Sequence, residues 1–111
     1  MTWGDDLDSR VEVAMLIKSA EAPTRDVLEH LAAHPGRLVE FAALAEALGA
    51  PPAVRDSLSE VIARRVAWIS LTCDAFRREE LLEVDGDAVA VPAGIRAELV
   101  RSALASPPTN S

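Results

Sequence analysis

The sequence predicts a mostly α-helical domain with one small β-hairpin, in the order helix, helix-turn-helix, hairpin, helix. Three observations predict it. Phe41, Leu44, Ala45 and Leu48 recur at helical spacing, and Gly49 follows where a left-handed C-cap belongs. Ala50-Pro51-Pro52 then blocks a continuous helix, and Val54, Leu58, Val61 and Ile62 begin a second apolar stripe, so residues 41–48 and 51–65 read as two helices around a sharp turn. Leu81–Val84 and Ala88–Val91 are β-prone runs separated by Asp85-Gly86-Asp87, the turn chemistry of a hairpin.

The remaining segments follow in order. Residues 1–9 are acidic and lack periodicity, which predicts a flexible arm with Trp3 docking on a neighbour. Residues 10–105 then form a single domain. Its first segment, Arg10–Ala20, is ambiguous: Val11, Val13, Met15 and Ile17 alternate like a strand, whereas Leu7, Val11, Ala14 and Met15 fit one helix face. Alanine and methionine, with Asp8 or Ser9 as N-cap, favour the helix.

Thr24 is the expected N-cap of the next helix, which carries Val27, Leu28, Leu31 and Ala32 on its buried face and stops at His34-Pro35-Gly36. Leu38-Val39 is a short extended piece. Trp68–Cys73 reads either as a strand or as the frayed end of the preceding helix. Pro92 opens a last helix bearing Ile95, Leu99 and Ala103, and residues 106–111 form a disordered tail.

Composition restricts the function. The net charge of −7 disfavours nonspecific binding to nucleic acid or an anionic membrane, although residues 53–78 hold five arginines against three acids. Cys73 is the only cysteine, which excludes an internal disulfide and a multi-cysteine zinc site and fits a reducing cytoplasm. No apolar run of membrane-spanning length and no secretory signal are seen.

VLEHLAAHPGR followed by VEFAALAEALG resembles the first two helices of bacterial winged-helix regulators, and of a group of small actinobacterial winged-helix proteins of unassigned function. The resemblance covers about residues 24–104. It implies a winged helix-turn-helix fold and a homodimeric, DNA-binding transcription regulator paired through the N-terminal segment and the Ile95–Leu104 helix. Arg55 and Arg64 would then hold phosphates, and Ser57 and Ser59 would approach base edges of a near-palindromic site.

Two features depart from that pattern. At about 100° per residue, the face opposite the apolar stripe falls on Asp56, Ser59, Glu60 and Ala63, which is acidic. The hairpin tip carries aspartates where a DNA-binding wing carries arginine or lysine. The alternative is a winged helix that does not bind DNA and contacts a protein partner through Asp56, Glu60 and Ala63. Arg55, Arg64, Arg77 and Arg78 also read as solvated charges or partners of nearby carboxylates. Arg65 falls within the apolar stripe, so either the helix ends before it or its guanidinium snorkels to the edge.

Signals for catalysis are lacking. His30 and His34 stand at i, i+4 without an evident third ligand, which suits a helix face or a C-terminal dipole partner better than a metal site. Cys73 lies in an apolar alternation and reads as core. With no phosphate loop, Ser-His-Asp set or cofactor fingerprint, the chain is expected to be non-enzymatic and to need no cofactor.

Overall fold

In a computed structural model describing residues 2–105, the chain forms five α-helices and a three-stranded antiparallel sheet. The first helix, α1, runs Leu7–Ser19. It therefore begins inside the segment expected to be a flexible arm. Its N-cap is Asp6 rather than Asp8 or Ser9: the Asp6 carboxylate accepts from the Ser9 N–H at 3.1 Å and the Ser9 hydroxyl at 2.8 Å. The buried face is Ser9, Val13, Leu16 and Ile17, the reverse of the face read from Leu7, Val11, Ala14 and Met15.

The Asp6 cap gives the domain an acid-sensitive contact. The Ser9 hydroxyl, and then the Ser9 N–H, hold the Asp6 carboxyl below its usual range. A lowered native pKa adds stability that is present above the ordinary aspartate value of about 3.9 and is lost as pH falls through the native value. Asp6→Asn, which can still cap, is expected to flatten the low-pH end of a stability–pH curve measured by urea unfolding. An unchanged acid slope would contradict that assignment.

Helix α2 spans Ala22–Ala33, with Pro23 in its first turn. Glu21, not Thr24, occupies the N-cap position, and Thr24 lies within the helix, buried. Proline accounts for the difference, because its fixed φ suits a first turn and lets the helix begin before the threonine. Val27, Leu28, Leu31 and Ala32 form the buried stripe as expected, and His34 is the C-cap.

Strand β1 is Val39–Glu40 and leads directly into α3, Phe41–Ala47. Gly49 has φ +90°, the left-handed value its position requires. The Gly49 N–H donates to Glu46 O and the Ala50 N–H to Ala45 O, each at 3.0 Å, so the exposed carbonyls of α3 are satisfied before the chain turns.

Pro52–Val54 form one 3-10 turn, and α4 follows from Arg55 to Ala75. Helix α4 is thus much longer than the 51–65 segment expected, and Trp68–Cys73 is neither strand nor frayed end. Ile62, Val66, Ile69 and Cys73 bury one continuous stripe, whereas Val54 is 47% exposed. Cys73 belongs to the core, and burial pushes its thiol pKa up. Arg65 snorkels, reaching Glu21 in an exposed ion pair.

The hairpin strands are β2, Glu83–Asp85, and β3, Ala88–Ala90, joined through Gly86 and Asp87. β3 is central, with Val39 opposite Val89 on one side and Val84 opposite Val89 on the other. Helix α5 runs Ile95–Ala105, starting three residues later than Pro92. Val89, Val91, Leu99 and Val100 belong to the core, and α5 packs against α1 and α2. The tail expected from residue 106 lies outside the described residues.

The arm is held across the far end of α4. Arg77, at φ +58°, takes the left-handed position after α4 and turns Arg78 inward. The Arg78 guanidinium, only 2% exposed, donates to Glu12 Oε2 at 2.7 Å, Thr2 O at 2.8 Å and Ser9 Oγ at 3.1 Å. It also stacks 4.8 Å from the Trp3 ring centre. Trp3 is buried, and its indole N–H donates to Glu79 O at 3.0 Å. Trp3 thus docks within its own domain, and of the two readings of Arg78 the carboxylate partner holds, the guanidinium being buried rather than solvated.

Candidate functional site

The outward face of α4 borders a cleft of about 300 Å³ lined by Glu40, Phe41, Ala42, Ser59, Glu60, Ala63 and Asp87. Three elements meet there. Helix α4 contributes Ser59, Glu60 and Ala63 at i, i+1 and i+4: burial of Ile62 and Val66 leaves Glu60 exposed and Ser59 and Ala63 half-buried beside the core stripe. The junction of β1 and α3 supplies Glu40, Phe41 and Ala42, and the hairpin turn supplies Asp87.

A backbone bond fastens the two loop elements together: the Phe41 N–H donates to Asp87 O at 2.8 Å. This bond supplies a partner for an N–H at the start of α3 that has none within the helix. Phe41 is half-buried and packs against the core, so one wall of the cleft is apolar and anchored. Glu40, Glu60 and Asp87 are all exposed and give the rim three carboxylates. None of the lining residues is a lysine or arginine.

The residues expected to touch DNA are dispersed. Arg55 turns back to the end of α3, where its guanidinium lies 4.0 Å from Glu46 Oε2 and 3.5 Å from Ala50 O. Arg64 is exposed, with no ion-pair partner among the described residues. Ser57 and Asp56 are exposed on the first turns of α4, apart from the cleft lining; Ser59 lies inside the cleft, among its carboxylates.

Of the residues expected to contact protein, Glu60 and Ala63 fall in the cleft and Asp56 does not. Sequence reading missed Glu40, Phe41 and Asp87 as members of the same site. Their only signals were an acidic residue before the Phe41 stripe and an acidic hairpin turn.

The histidine pair has a different setting. The His30 and His34 rings meet edge to face with centroids 5.5 Å apart, and His30 lines a hollow with Asp26, Glu29, Ala33 and Leu48. Among the described residues, no group of three or more His, Cys, Asp or Glu side chains is placed to hold a metal ion. Among the described residues, no helix is long and apolar enough to cross a membrane.

No protein family, curated protein or solved structure matches the chain.

Proposed function

We propose that the chain is a winged-helix domain acting as a protein-interaction module, which captures a basic segment of another protein in the cleft beside α4. The observation that carries this reading is the composition of the cleft. Glu40, Glu60 and Asp87 ring an anchored Phe41, and no cationic side chain lines it. An arginine or lysine neighbouring an apolar residue would satisfy both kinds of wall. Carboxylates at the rim would steer such a partner from a distance, and burial against Phe41 would supply the short-range attraction.

The same features weigh against a duplex in this position. A phosphate backbone crossing α4 and the hairpin turn would meet carboxylates from Glu60 and Asp87, while Arg55 is already directed at Glu46 and Ala50. The module acts by binding, without a chemical step.

A labelled peptide alternating arginine and leucine tests the site by fluorescence anisotropy. Glu60→Arg with Asp87→Arg is compared with Glu29→Arg plus Glu98→Arg, exposed changes outside the cleft that alter net charge equally. The cleft variant is expected to lose at least about tenfold in affinity, with the control losing far less. Equal losses would mean that net charge alone attracts the peptide and would overturn the cleft as the site.

A further inference from the structure

We propose that α1 pairs with α1 of a second copy of the chain, antiparallel, through a stripe left open on its outer side. Leu7, Val11 and Met15 are 75%, 46% and 53% exposed, and Ala14 is exposed between them. Positions i, i+4, i+7 and i+8 share one helix face, opposite the buried Ser9, Val13, Leu16 and Ile17. The inner side of α1 is engaged with α5. Four small or apolar side chains in a continuous row, rather than scattered, call for a covering surface.

Charge at the ends of the row identifies a second copy as the occupant. Asp8 at the start and Lys18 at the end are exposed, and neither has a partner among the described residues. They are ten residues apart, or about 15 Å along the axis. Antiparallel pairing about a two-fold axis sets each Asp8 beside the partner's Lys18. In that register Val11 meets the partner's Met15, and Ala14 lies near the crossing, where a small side chain permits close approach.

The parallel alternative would set Asp8 against Asp8 and Lys18 against Lys18, at an electrostatic cost. Antiparallel helices also oppose their dipoles. The surface is therefore complementary to itself, the condition for a closed two-fold pair.

Helix α5 offers no comparable row. Its Ala97, Leu99 and Val100 are buried within the domain, and Glu98, Arg101 and Ser102 face outward. Pairing through α1 uses neither the cleft nor the outward face of α4, so it is independent of the proposed partner capture.

Sedimentation velocity of the full chain, from micromolar to near-millimolar concentration, tests the pairing. Wild-type protein is expected to show a reversible monomer–dimer equilibrium, and Val11→Glu with Met15→Glu to remain monomeric with unchanged circular dichroism. Asp8→Lys alone and Lys18→Asp alone are each expected to weaken the dimer about tenfold, since each turns two attractive contacts into repulsive ones. The two changes combined restore the attraction with its sign exchanged and recover wild-type affinity. A monomer at every concentration, a dimer indifferent to Val11→Glu with Met15→Glu, or a charge swap without recovery would overturn the proposal.

Discussion

Arg78→Met is expected to destabilise the domain by about 3 kcal/mol in urea unfolding, because it removes one partner of a buried ion pair and leaves the other in place. The guanidinium is 2% exposed and the Glu12 carboxylate 25% exposed, so the stranded carboxylate is only partly rehydrated. Thr2 O and Ser9 Oγ lose their donor as well. The figure lies at the low end of the range for broken buried pairs because water reaches Glu12. Methionine keeps the apolar stem beside Trp3, so the loss reports the charge and its hydrogen bonds rather than packing.

Removing Glu12 in the same chain, as Glu12→Leu with Arg78→Met, is expected to recover most of the loss, since no isolated charge remains. Arg78→Lys is expected to fall between, keeping the charge without the fork that serves several acceptors together. A loss below about 1 kcal/mol for Arg78→Met would show that the arm contributes little to the fold.

Ile62→Ala is expected to cost about 3 kcal/mol, whereas Val54→Ala should change stability by less than about 0.5 kcal/mol. Both residues belong to the stripe read from the sequence, yet Ile62 is fully buried and Val54 is 47% exposed. Ile62 also sets the rotation that leaves Glu60 exposed and Ala63 half-buried at the wall of the cleft. Losses of similar size at the two positions would contradict the packing of α4 described above.

What the sequence disclosed is largely local. Asp85-Gly86-Asp87 announces its turn because backbone conformation and residue type are linked over a few positions. Gly49 likewise marks the end of α3, with the positive φ such a cap needs. The third strand was less evident, because Val39–Glu40 pairs with residues almost fifty positions later.

Helix α1 shows why periodicity failed at one point. Apolar residues lie on both of its sides, and its buried side contains Ser9. Hydrophobic pattern then cannot tell which face meets the core. The length of α4 was readable in principle, since Ile62, Val66, Ile69 and Cys73 keep helical spacing; the β-prone alternation of Trp68–Cys73 obscured it. Arg78 meets Glu12 across 66 positions and Glu79 meets Trp3 across 76, and a lone tryptophan in a polar segment was the only hint.

The candidate site was half legible for the same reason. A helical projection brings Ser59, Glu60 and Ala63 together, but Glu40, Phe41 and Asp87 join them only through the packing of the β1–α3 junction and the hairpin turn. Arg55 shows the converse. The winged-helix resemblance made it a phosphate ligand, and its proximity to Glu46 and Ala50 depends on the turn between α3 and α4.

Anisotropy of a labelled DNA duplex, titrated at low salt with the wild-type chain and with Glu60→Arg plus Asp87→Arg, tests most directly whether the α4 cleft is built for protein rather than DNA. An acidic protein-binding cleft predicts no saturable binding by the wild type, and binding gained by the variant that declines as salt rises. Wild-type binding that persists at physiological salt and weakens in the variant would contradict it and return α4 to the role of a DNA-reading helix.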